Sequence, residues 1–298
     1  MRRGVSTGIQ SWLGVVARIL LFTGLVVLLV AAATALAPAL AGGLESAMIL
    51  GSAITCAAAI LVGGVLIRRL DHRPVGAIGL AWTSRTVWEI GVGLAVGIAA
   101  LGVAAALMLA VGGLRYTVQP GDAMGWVAAI GAGFGGLTFP ALAEELIFRG
   151  YPFQVLVQAV GGTVATLAAS ALFAAAHATN PNVDAFALVN IFLAGVMLSV
   201  AYLRTRSLWF ATAVHLGWNG AMASLLDLPV SGLELYDTPL YEPAIAGPRW
   251  LTGGVFGPEA GVVGTIALGL AVLWLARSRR VRVAPEMVAL HPLGRTSK

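Results

Sequence analysis

Eight long apolar runs divide this chain, and no other feature constrains its fold as tightly. They lie at about 13–37, 44–67, 88–112, 125–148, 162–178, 184–203, 207–226 and 259–277. Each comes close to the roughly 20 residues that a helix needs to cross the hydrocarbon core of a bilayer. A backbone inside lipid must satisfy its own hydrogen bonds, so runs of this length are read as helices. Composition agrees. The chain is 59% hydrophobic and only 10% charged, with a mean hydropathy of +0.91, whereas a soluble domain carries about 25% charged residues. No polar stretch is long enough to build a soluble domain. The expectation is an all-α fold, a polytopic transmembrane helix bundle of about eight spans. It forms a single membrane domain over residues 1–298, with its motif-bearing core at about 125–226 and a cytoplasmic tail at about 278–298.

Charge placement predicts orientation. All but Lys298 of the 18 basic residues are arginine. Most fall in loops on one side of the spans: Arg2, Arg3, Arg68, Arg69, Arg73, Arg85, Arg149, Arg204, Arg206, Arg277, Arg279, Arg280, Arg282 and Arg295. Arg115 and Arg249 fall on the other, as does the acidic loop of Glu234, Asp237 and Glu242. The positive-inside rule then puts both termini in the cytoplasm. Arginines in short loops are a topology signal, so nucleic acid is not an expected partner despite the net charge of +5. Trp12, Trp88, Trp126, Trp209 and Trp274 sit at span edges, where an indole favours the headgroup layer. The single cysteine, Cys56, lies in an apolar run, which rules out an internal disulfide or a cysteine metal site. Ala39-Leu40-Ala41 could end a signal peptide, but the preceding run is long and Arg18 precedes it. An uncleaved first helix is the expectation. The tail after Arg282 reads as a disordered end.

An ionisable side chain within a span is costly and usually has a task. Three clusters stand out. In Ala143-Glu144-Glu145-Leu146-Ile147-Phe148-Arg149, Glu145 and Arg149 are four apart and share a helix face, so they can pair. Glu144 is rotated by about 100° from Glu145 and is left free. A free carboxylate in a low-dielectric setting suits a general base; the plainer alternative is a structural ion pair at a helix end. In Phe173-Ala174-Ala175-Ala176-His177, Phe173 and His177 share a face, and a lone histidine near a helix end is often only a hydrogen-bonded structural residue. In His215-Leu216-Gly217-Trp218-Asn219, His215 and Asn219 point the same way and can offer two donors to one spot, as an oxyanion site requires. They could equally steady the bundle by bonding across helices. A turn at Gly161-Gly162 would make an antiparallel hairpin with Glu144 and His177 at similar depth, each about 25 Å from the turn. His215 lies roughly 12–16 Å beyond the Arg204–Arg206 turn, so the depths agree only if the hairpin tip projects by about 10 Å. Pro140 is a candidate kink.

Glu-Glu-x-x-x-Arg, Phe-x-x-x-His and His-x-x-x-Asn, in this order within hydrophobic helices, resemble the CPBP family. This family holds the CAAX prenyl endopeptidases and bacteriocin-processing membrane proteins (also called the Abi family), and the eukaryotic Ras-converting enzyme. The resemblance runs from about Ala143 to Asn219. It implies an eight-helix bundle with an intramembrane active site reached from the cytoplasmic side. It also implies roles: Glu144 activates a water with help from His177, His215 and Asn219 stabilise the oxyanion, and Glu145 and Arg149 hold the site in shape. Glu144, His177 and His215 also make a zinc shell with an open position conceivable, although separate roles fit a metal-free water better.

The leading expectation is therefore an intramembrane endopeptidase in a bacterial plasma membrane, acting on a membrane-associated or prenylated peptide. A catalytically idle scaffold or self-immunity protein of the same fold is the alternative. A proton-coupled transporter comes third, because no internal repeat is visible. The small-residue stripes serve contacts within the bundle or between copies, so the oligomeric state stays open.

Overall fold

The computed structural model describes residues 4–36 and 43–290; Arg2, Arg3, the Ala39–Ala41 motif, Arg295 and Lys298 lie outside them. In chain order the elements are α1 (Gly4–Leu36), α2 (Leu44–Arg69), α3 (Thr86–Ala110), β1 (Leu114–Val118), α4 (Ala123–Phe148), α5 (Tyr151–Ala176), α6 (Ala185–Thr205), α7 (Leu208–Gly220), β2 (Tyr241–Ile245), α8 (Arg249–Thr252), α9 (Val262–Arg277) and α10 (Pro285–Ala289). Each of the eight apolar runs falls on a helix. Trp12–Ala35, Glu45–Arg69, Thr86–Ala110, Ala123–Ala176 and Ala185–Thr205 are long and apolar enough to cross a membrane, the fourth being α4 and α5 together; α9 is apolar but shorter. The protein is an all-α polytopic membrane protein. Leu20 and Leu28 of α1 are 65% and 63% exposed, as expected of side chains that meet lipid.

Local chemistry sets several helix ends. Asp122 accepts from Gly125 N, Asp184 from Ala187 N and Ser207 from Phe210 N, so α4, α6 and α7 each begin on a side-chain cap. Helix α7 continues into a π-helical turn at Ala221–Leu225, a common device at functional sites.

Close packing follows from glycine. A Cβ on Gly97 of α3 would overlap the carbonyl of Val214 and the amide of Trp218, and one on Gly217 of α7 would overlap Leu94. Two bare backbones thus lie against each other, and this contact fixes the depth and rotation of α7. Gly195 does the same for α6 against Ser170 of α5.

Two expectations are corrected, and one element is added to the helices. First, the chain does not simply turn at Gly161-Gly162. It breaks at Arg149–Gly150, begins α5 at Tyr151, and breaks again at Gly161, whose φ of 78° and ψ of 165° are not helical. The intervening decapeptide is anchored at the arginine-rich end: Gln154 Nε2 donates to the Ala77 and Ile78 carbonyls and to Tyr202 Oη. The depth conflict came from assuming a single turn. Glu144 is only about 9 Å from the first break, close to the 10 Å or so that separates His215 from the start of α7. The added element is a short antiparallel ribbon of β1 and β2, Leu114 opposite Ile245 through Val118 opposite Tyr241. It closes the end of the bundle beyond the C-terminus of α3. Second, the tail is ordered up to Leu290. Met287 is buried, and Glu286 accepts from Ser84 N.

The end away from the ribbon gathers arginines. Arg18 pairs with Asp71 at 2.7 Å, Arg204 donates to the Ser278 and Val281 carbonyls, and Arg85 donates to that of Arg280. At the ribbon end Arg249 pairs with Asp184.

Candidate active site

The C-terminal part of α4, the C-terminus of α5 and the middle of α7 bring the three motifs together. Arg149, which caps α4, is wholly buried and pairs with Glu145, also wholly buried, at 3.0 Å. Its other arm donates to the Gly195 carbonyl at 3.0 Å. The guanidinium also lies 4.6 Å from the ring centroid of Phe173. One side chain thereby ties α4, α5 and α6 into a unit.

Glu145 has a second partner. Its Oε1 lies 3.0 Å from His215 Nδ1. Because Glu145 is ion-paired it is an acceptor, so His215 Nδ1 carries the proton. The other ring nitrogen, Nε2, faces Glu144 Oε2 at 3.8 Å, beyond hydrogen-bond distance. That Glu144 oxygen is buried and has no hydrogen-bond partner, although the side chain as a whole is 34% exposed. Glu145 Oε1 thus serves both Arg149 and His215, whereas its Oε2 and Glu144 Oε2 are both buried without a hydrogen-bond partner among the described residues.

His177, which caps α5, donates Nδ1–H to the Phe173 carbonyl at 2.7 Å. This turns its Nε2 into the acceptor when the ring is neutral. Phe173 stacks at 4.7 Å from His177 and 6.1 Å from His215. The three side chains line a cavity of about 30 Å³ together with Trp218, Asn219, Ser231 and Glu259. A space of this size holds about one water molecule. Asn219 makes no hydrogen bond to another described residue, so its amide donors are available to whatever enters.

Glu259 is the residue that motif reading missed. It is 6% exposed, and it accepts from Trp218 Nε1 at 3.1 Å, Ser231 N at 2.9 Å and Ser231 Oγ at 2.7 Å. It latches the segment between α7 and α9 over the cavity, one residue from Asn219. Its signal was available, since the eighth apolar run begins on this carboxylate.

Among the described residues, the three His, Cys, Asp or Glu side chains whose ligand atoms converge within 4.8 Å are Asp227, Asp237 and Glu242, near the ribbon. Glu144, His177 and His215 do not converge in this way.

Fold and site together define a helical integral membrane protein with a buried Glu–Arg–His–Asn centre. Residues 123–221 match the family described as Type II CAAX prenyl endopeptidase Rce1-like, and the match over this stretch supports CPBP family membership. The match spans α4 to α7 and contains all six candidate site residues together with Phe173. The match supports a domain of the CAAX-type intramembrane protease kind. No curated protein and no solved structure matches the chain.

Proposed function

We propose that this protein is an intramembrane endopeptidase that hydrolyses a peptide bond of a membrane-associated substrate, of the prenylated C-terminal class, with a water activated by Glu144. The observation that carries the reading is the asymmetry of the two glutamates. Glu145 is wholly buried and its Oε1 is bonded to Arg149 and His215, while Glu144 makes no hydrogen bond to a described residue and is 34% exposed. A scaffold has no use for such a carboxylate inside a membrane.

In this reading a water at the mouth of the cavity, between Glu144 and the histidines, donates to His177 Nε2 and loses its other proton to Glu144. The hydroxide attacks the scissile carbonyl carbon. Asn219 donates to the developing oxyanion, and His215 does so when its Nε2 is protonated, with Glu145 as the imidazolium's counter-ion. Glu144 then passes its proton to the leaving amine as the C–N bond breaks. The general base contributes about 10²–10⁴-fold by analogy with positioned bases elsewhere. Each oxyanion donor contributes roughly 10²–10³-fold. The positive-inside rule would place the arginine-rich end, and with it substrate entry, in the cytoplasm.

The test is cleavage of fluorogenic peptides with prenylated and unprenylated C-termini by the purified full chain. Wild type is compared with Glu144→Ala and His215→Ala, with and without chelator. Loss of cleavage in both variants, with no effect of chelator, supports the reading. Loss with chelator and rescue by zinc would replace it with a metal mechanism. Variants that keep the full cellular phenotype would favour the idle scaffold.

A further inference from the structure

Helices α3 and α9 run antiparallel, and small side chains on both, among them Ala95, Ala99, Ala267 and Ala271, leave a concave seam between them. The resulting apolar groove has a volume of about 620 Å³ and is lined by positions 92–103 of α3 and 267–274 of α9. Along α3 it extends about 16 Å, from 11 steps of 1.5 Å. That is close to half the roughly 30 Å hydrocarbon thickness of a bilayer. The groove contains none of the six candidate site residues.

At the arginine-rich end of the same two helices lies a second cavity, of about 350 Å³, lined by Arg85, Trp88, Arg279, Arg280 and Arg282. Trp88 is one turn before the start of the groove on α3, and Trp274 closes it on α9. Arg85 is held over the Trp88 ring at 4.3 Å, and its Nη2 donates to the Arg280 carbonyl. The buried Arg85 Nε has no partner. Among the described residues none of the four arginines forms an ion pair with a carboxylate within 4.0 Å, although Arg85 lies within electrostatic reach of Glu89. Nearby Glu89 is buried and faces Ser207, while Glu286 is taken by Ser84.

We infer that this seam is a binding site for an anionic glycerophospholipid, its acyl chain in the α3–α9 groove and its phosphodiester on the four arginines. Charge complementarity selects the occupant. A positive-inside signal needs only arginines near a span end, whereas here they converge on one cavity at the mouth of a one-leaflet groove. Basic pockets between helix ends are a recurrent mode of headgroup recognition. The site is separate from the cleavage reading and stands without it.

Native mass spectrometry of the delipidated full chain in detergent tests the inference. Phosphatidylglycerol, phosphatidylcholine and inorganic phosphate are titrated separately against wild type, the triple variant Arg279→Gln/Arg280→Gln/Arg282→Gln, and Ala99→Phe. The three arginines and Ala99 are exposed, so these changes spare the core. The expected result is retention of phosphatidylglycerol in preference to phosphatidylcholine. The triple variant should weaken it on the order of 100-fold, from about fivefold per arginine, and Ala99→Phe should also weaken it. Equal binding of the two lipids, or an unaltered triple variant, overturns the headgroup site. Inorganic phosphate binding as tightly as the lipid, or indifference to Ala99→Phe, overturns the acyl-chain site. Displacement of the lipid by a prenylated peptide, with the peptide's own affinity lowered by Ala99→Phe, assigns the groove to substrate instead.

Discussion

Glu144 and Glu145 are neighbours in sequence with opposite physical situations, and this difference can be tested. Glu145 is wholly buried against Arg149 and His215. Glu145→Gln leaves a wholly buried guanidinium without its counter-charge, a change that costs about 3–5 kcal/mol in other buried pairs. Glu144→Gln removes no protein hydrogen bond from the described residues. The expected outcome is a large fall in thermal stability in detergent for Glu145→Gln, and near wild-type stability with lost cleavage for Glu144→Gln. Equal destabilisation would show that Glu144 is structural. Glu259 gives a second residue-scale prediction. Its carboxylate serves three donors, so Glu259→Ala leaves them orphaned at about 1.5–3 kcal/mol for each bond to a charged group. Ser231→Ala removes only the hydroxyl bond and should cost less, as read from paired melting curves.

At the scale of elements, the α3–α7 contact decides whether His215 reaches Glu145. Gly97→Leu places a side chain where the α7 backbone runs. It should abolish monodisperse protein on size-exclusion chromatography. Gly91→Leu on the same helix meets nothing within 4 Å and should behave as wild type, which separates close packing from a general intolerance of leucine. The break in α5 is the second element-scale device. Gly161 has positive φ with a ψ of 165° and open space around it, a region essentially reserved for glycine, so Gly161→Ala is strained through the backbone alone, by about 1–3 kcal/mol. Gly161→Asn should cost about as much, because the tolerance of asparagine for positive φ is confined to the left-handed helical region. Melting temperatures unchanged by both substitutions would show that the break does not rest on that torsion.

Across the whole molecule, the two ends of the bundle differ in charge and in pH response. At the ribbon end, partial burial raises Asp227 from its ordinary value to about 6, with further raising by Asp237 and Glu242 against a lowering bond from Thr238 N. The folded state therefore binds more protons than the unfolded state between the ordinary carboxyl value of 3.8 and about 6. Stability should fall as pH rises through that window. Asp227→Asn removes this dependence, keeps an acceptor for Thr238 N, and suits the positive φ of 54° at this position. Its melting temperature should exceed that of wild type at pH 7.5 and converge with it at pH 4. A constant difference across that range would remove Asp227 as the cause.

Much of this protein was legible in order along the chain, because lipid imposes a length rule that each apolar run reports locally. Helix positions follow from that rule. The pairing of Glu145 with Arg149 follows from a four-residue spacing, which is a property of one helix. The role of Glu259 was not legible as part of the centre, since the chain returns it to Trp218 and Ser231 only after the ribbon and α8. The two breaks around α5 were compressed into one because hydropathy does not register a single positive φ. The 3.8 Å approach of His215 to Glu144 depends on glycines in α3 and α7 that lie outside both motifs. Sequence by itself determined which segments are helical and which side chains share a face, since both are set by neighbours within a few residues. Only the tertiary structure decided which faces meet and at what depth, because that depends on steric fit between backbones far apart in the chain.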